Sequence, residues 1–95
     1  MKKPVKFTLE QLMATTKKRE MVLKVIETHF PEGVKEFLLY MAHSANPFAN
    51  YANCEVIDLV DYFIEFEEQE NEGRLTESLM EQLMWVYGPM YLANA

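Results

Sequence analysis

The sequence predicts an all-α fold, a compact single-domain bundle of four to five short helices. Three observations predict it. Apolar residues recur at i, i+3, i+4 and i+7 through nearly the whole chain, with no convincing strand alternation. Helix breakers sit at Pro31-Glu32-Gly33, Asn46-Pro47, Gly73 and Gly88-Pro89, cutting the chain into helix-length pieces. At 95 residues, 49% of them hydrophobic, the chain has enough apolar surface for one core and too little for two.

Residues 1–7 form a basic amino-terminal arm carrying Lys2, Lys3 and Lys6. Thr8-Leu9-Glu10-Gln11 has the spacing of a capping box, in which Gln11 reaches back to the amide of Thr8. A first helical segment follows, with Leu9, Leu12 and Met13 on one face. A second spans 17–28, where Val22, Val25, Ile26 and His29 share a face. Thr15-Thr16 serves equally as an N-cap or as helix interior, so residues 8–30 are one helix or two.

The third helix, 32–44, starts in the Pro31–Gly33 turn and buries Val34, Phe37, Leu38 and Met41. Leu39 and Tyr40 leave it apolar nearly all round, which suits a central or interfacial helix. Asn46-Pro47 stops it and opens an Asn-rich loop, 46–53. Asn53 is the expected N-cap of a fourth helix, 54–71, with Val56, Leu59, Val60, Phe63 and Ile64 inward. Gly73 is the expected residue after it, and Thr76 caps a fifth helix, 77–87. Its apolar rows are Leu79, Leu83, Val86 and Met80, Met84, Tyr87. Gly88-Pro89 is expected to end it and leave residues 88–95 as a tail.

Charge is segregated. The first 36 residues hold eight basic and five acidic side chains, a net of +3. The remaining 59 hold ten acids and Arg74 alone, a net of −9, so the overall −6 is a difference between opposed regions. The acidic excess disfavours direct binding of nucleic acid and bears on partners rather than on fold. The longest apolar run, residues 37–42, is far short of the ~20 needed to span a bilayer, which predicts no membrane association. A single cysteine, Cys54, and no apolar stretch after Val5 predict a cytoplasmic protein.

Between Glu55 and Glu72 stand eight carboxylates and no Lys or Arg. At 100° per residue, Glu55, Asp58, Asp61, Glu65, Glu68 and Glu72 fall on one stripe opposite Val56, Leu59, Val60 and Phe63. Such a run is ordinarily a solvated face. A solvated helix, however, interleaves Lys at i+4, whereas like charges at that spacing cost ~0.2–0.5 kcal/mol per pair. A carboxylate row with members ~5 Å apart imitates what a phosphate backbone offers a basic groove. The opposing reading is internal, with Lys17, Lys18, Arg19 and Lys24 lying alongside and neutralising the stripe. Trp85 falls off the core face of its helix and reads as a binding anchor or as a residue packed under the tail. Tyr62 and Phe66 flank the stripe, as core margin or as part of a docking surface.

Catalytic constellations are missing. His29 and His43 have no acid at i−3, so the Glu-x-x-His pairs of a di-iron bundle are not formed. One cysteine excludes a four-thiolate zinc site, and there is no glycine-rich phosphate loop. Cys54 at a helix start reads as half-buried and inert rather than as a nucleophile. The sequence therefore predicts no catalytic residues, cofactor or metal. It predicts a non-enzymatic protein-binding domain, an inhibitor or antagonist of viral or mobile-element type with an anti-defence or immunity-like role. Its expected partner is a basic, nucleic-acid-handling protein bound through Glu55, Asp58, Asp61, Glu65, Glu68, Glu72, Trp85, Tyr62 and Phe66. Two alternatives stand beside it. One is a regulatory DNA-binding protein using the basic amino-terminal third. The other is a homodimeric structural subunit joined through the apolar run at 37–41 and the Met-rich last helix.

Overall fold

A computed structural model describes residues 9–94, with side chains from Thr16 onward. It contains α1 (Leu9–His29), α2 (Val34–Ala45), α3 (Val56–Glu70) and α4 (Glu77–Asn94), and no strand among the described residues. The basic arm and the Thr8 cap lie outside the described residues, as do the side chains of Leu9, Leu12 and Met13.

α1 is one continuous helix of 21 residues, with Thr15 and Thr16 in its interior rather than at a boundary. Val22, Val25 and Ile26 drop into the core at the expected spacing. Phe30 closes the helix through its amide to Ile26 O at 2.8 Å, and its ring stacks on Phe37 of α2 at 5.3 Å. α2 starts at Val34, two residues later than expected, with Gly33 as its N-cap and Gly33 O accepting from the amide of Phe37 at 2.9 Å. Only Phe37 and Leu38 of α2 are fully buried.

α3 is shorter than the expected 54–71. Its N-cap is Glu55 rather than Asn53, because the chain is still turning there: Cys54 N–H donates to Tyr51 O at 3.0 Å, and Ala52 N–H to the Asn50 side chain at 3.0 Å. At the other end Asn71 is the C-cap, then Glu72 and Gly73 both take left-handed φ, 58° and 81°. Gly73 is thus a helix-stop glycine as expected, its amide bonded back to Glu68 O at 2.6 Å.

α4 departs most from expectation. Thr76 caps it, its hydroxyl accepting from the amide of Leu79 at 3.2 Å, but the helix passes through Gly88-Pro89 to Asn94, so no separate tail exists at 88–94. Packing outweighs the breakers. Gly88 is buried against the Phe30 ring, and Tyr91, one turn on, meets Phe30, Phe37 and Tyr40 edge-on at 5.3–5.6 Å. Pro89 removes the hydrogen bond to the carbonyl of Trp85, which lies on the exposed side where water can replace it. The buried row is Met80, Met84 and Gly88, while Val86, expected inward, is 56% exposed.

One cluster, from Val22 to Met84, forms the core. α4 packs chiefly on α1, α1 also on α3, and α3 on α2, while Tyr91 brings the end of α4 against Phe37 and Tyr40 of α2. No helix among the described residues is long and apolar enough to cross a membrane.

Candidate protein-binding face

The acid stripe divides into residues that face inward and residues that face outward. Asp61 receives a bidentate pair from Arg19 of α1, Nε to Oδ1 at 2.8 Å and Nη2 to Oδ2 at 2.7 Å. This contact, above all its hydrogen bond, holds the Arg19 guanidinium more firmly protonated than usual. Two turns further along α3, Lys18 Nζ pairs with Glu68. Adjacent basic residues on α1 thus reach two carboxylates seven apart on α3, and together they join the two helices. Both pairs are about one-third exposed, so each contributes under ~1 kcal/mol to stability. Lys17 and Lys24 do not join them. They stand with Glu20, Met21 and Glu77 on the side of α1 nearest α4.

The remaining four carboxylates are exposed, but they do not form a row. Asp58 and Glu65 lie on α3, Glu55 is its N-cap, and Glu72 lies past its end with φ of 58°. The regular six-charge ladder that the 100° arithmetic suggests is therefore reduced. Of the basic amino-terminal third on which the DNA-binding alternative rests, Lys18 and Arg19 are paired with α3, and Lys2, Lys3 and Lys6 lie outside the described residues.

Beside Glu65 the molecule opens. α2 and α3 diverge around a groove of about 220 Å³, its apolar lining drawn from Leu38, Met41, Ala45, Tyr62 and Phe66. Tyr62 is 47% exposed and Phe66 39%, so both are groove wall rather than core margin. Tyr62 is held edge-on by Tyr51 at 5.6 Å, and Tyr51 in turn by His43 at 5.3 Å, which fixes that wall. Asn46, Glu65 and Gln69 are its exposed polar members. The volume decides what fits. It exceeds the ~150 Å³ that accepts a benzene ring and falls below the ~300–1,000 Å³ of sites for drug-sized ligands. One large apolar side chain is the natural guest.

Trp85 is 72% exposed on α4, not packed under a tail. The His29 ring meets it at 5.7 Å and 89°, and His29 Nε2 lies 3.4 Å from Glu81 Oε2. The structure does not bring Trp85 to the groove, whose lining comes from α2, α3 and the loop between them.

One carboxylate behaves unlike the other seven. Glu67 is 1% exposed, the only buried charged residue type among the described residues. Tyr87 of α4 donates its hydroxyl to Glu67 Oε2 at 2.8 Å, and Asn71 reaches Glu67 O at 2.7 Å. Burial raises the pKa of Glu67, opposed by the hydrogen bond from Tyr87; burial likewise raises that of Tyr87. The signal was in the helical arithmetic: Glu67 lies at i+4 from Phe63 and i+7 from Val60, in the middle of the core face. Among the described residues, no group of three His, Cys, Asp or Glu could hold a metal ion. Cys54 is a half-buried free thiol.

Compared with known protein families, curated proteins and solved structures, the chain matches none.

Proposed function

We propose that this chain is a small non-enzymatic protein-binding domain, an antagonist of a basic, nucleic-acid-handling protein. It grips a basic amphipathic segment of that partner. The observation that carries the reading is the juxtaposition of an open apolar groove, walled by Tyr62 and Phe66, with the exposed carboxylate of Glu65. An apolar side chain of the partner fills the groove, and its neighbouring Lys or Arg residues meet Glu65 and Asp58. Burial supplies affinity, while the −9 region of the chain supplies steering and selects against acidic competitors. Size and charge suit an anti-defence or immunity-like antagonist of viral or mobile-element type.

The internal ion pairs alter the expected mode of docking. With Asp61 and Glu68 neutralised by α1 and Glu72 out of line, extended imitation of a phosphate backbone is less well supported than a side chain in a groove flanked by two or three charges. A titration tests this directly. Adding a short amphipathic Leu/Lys helix to isotope-labelled protein is expected to shift the amide resonances of Met41, Tyr62, Glu65 and Phe66. Phe66→Ala and Glu65→Lys are each expected to weaken that binding at least ~10-fold, which is ~1.4 kcal/mol. Unchanged affinity in both variants, or shifts confined to α4, would overturn the reading.

A further inference from the structure

The loop between α2 and α3 carries a large apolar ring beside the groove. Asn46-Pro47-Phe48-Ala49 is a hydrogen-bonded β-turn, the amide of Ala49 donating to Asn46 O at 3.3 Å. Pro47 fixes φ at its second position. Phe48 holds the third position and is 97% exposed, more than any other large hydrophobic among the described residues. The turn beneath it is braced at both ends. On one side Asn46 closes α2, its amide donating to Ala42 O at 2.9 Å. On the other, Tyr51 is set between the rings of His43 and Tyr62, and its carbonyl accepts from the amide of Cys54 at 3.0 Å. Burying a ring held on such a turn forfeits little backbone freedom.

Position ties Phe48 to the groove. Asn46 and Tyr51 flank it in sequence and both line the groove, so Phe48 stands two residues, at most ~7 Å of chain, from the rim. We infer that Phe48 is a second anchor of the partner-binding face, packing on an apolar side chain one helical turn from the one that fills the groove. The inference rests on the groove reading above and specifies its partner segment: a basic helix with apolar residues at i and i+4. Charge is the first feature that selects this segment. Residues 44–54 carry no charged side chain, whereas Glu55, Asp58 and Glu65 are exposed along α3 and stand outside its ion pairs to α1. The apolar stripe of a basic helix therefore meets Phe48 and the groove while its lysines or arginines meet α3. Backbone pairing is the second. The described residues include no strand, so an extended segment has no sheet edge to join, whereas a helix arrives with its own backbone hydrogen bonds made. Side chains at i and i+4 of a helix lie ~5–6 Å apart, which matches the step from groove to rim.

Two Lys-rich helical peptides test it, one with a single Leu and the other with Leu at i and i+4, each titrated into the isotope-labelled full chain. In the parent the second Leu is expected to tighten binding at least ~10-fold. It is also expected to shift the amides of Phe48 and Ala49 along with those of Met41, Tyr62 and Phe66. Phe48→Ala is expected to abolish that gain and leave single-Leu binding unchanged. Helical circular dichroism and the unfolding midpoint stay as in the parent, because so exposed a ring has little packing to lose. A gain that survives Phe48→Ala, or a second Leu that brings none, overturns the inference and leaves the groove reading standing. If neither peptide shifts Met41, Tyr62 or Phe66, the groove reading itself fails and the second anchor falls with it.

Discussion

The outer faces of α3 and α4 are built on opposite plans within one small bundle. α3 carries the exposed carboxylates Asp58, Glu65 and Glu70 and half of an apolar groove, while α4 presents Trp85, Val86, Met90 and Leu92 with no charge over its last 13 residues. The difference shows that the acidic excess is not a general coating. Part of it ties α3 to α1, part lies beside a groove, one member is buried, and α4 beyond Glu81 is left free of it. An acidic face beside a groove and an uncharged apolar face therefore coexist without overlapping.

The comparison can be broken most strongly at Pro89. In a helix that runs to Asn94, Pro89 denies Trp85 O a hydrogen bond, so Pro89→Ala is expected to stabilise the protein by about 2 kcal/mol in thermal or denaturant unfolding. Were the helix to end at Tyr87, the substitution would leave stability unchanged or lower it. The joint between the two helices comes next. Tyr87→Phe removes the donor from a buried carboxylate and is expected to cost about 2 kcal/mol. The same joint sets a pH dependence. The folded state raises the pKa of Glu67 above its ordinary 4.5, so the folded protein binds that proton more tightly than the unfolded chain. Its contribution is complete below pH 4.5 and is lost as the pH rises through the folded value. Glu67→Gln is expected to flatten stability across that window, as measured by urea unfolding at a series of pH values. The smallest effect is at the surface. Arg19→Ala is expected to cost under ~1 kcal/mol, with the loss reduced by added salt.

Much of the fold was legible in the sequence, and the failures share a cause. Val22, Val25, Ile26, Phe37, Leu38, Leu59, Val60 and Phe63 are buried where helical spacing puts them. The boundaries failed where tertiary contacts overrode local breakers: the Phe30, Phe37 and Tyr91 rings hold α4 helical past Gly88-Pro89, and no local rule reports a ring from another helix. Asn53 lost the N-cap position because the Tyr51–Cys54 turn still holds it, and the helix starts only after Glu55. At the candidate site, the exposure of Trp85, Tyr62 and Phe66 agrees with the periodicity. The pairing of Arg19 with Asp61 required knowing which face of α1 meets α3, which spacing alone leaves open. Glu67 needed no such knowledge, only the same angular count applied to every carboxylate.

The division of the α3 acids into an inward and an outward set is the central claim, and one paired measurement tests it most directly. Glu65→Lys and Asp61→Asn are compared for stability and for affinity toward the amphipathic Leu/Lys helix. The account predicts that Glu65→Lys loses at least ~10-fold in affinity with stability within about 0.5 kcal/mol of the parent, whereas Asp61→Asn loses up to ~1 kcal/mol of stability with affinity nearly unchanged. Equal losses of affinity in both variants would contradict it, because the stripe would then be acting as one uniform acidic surface.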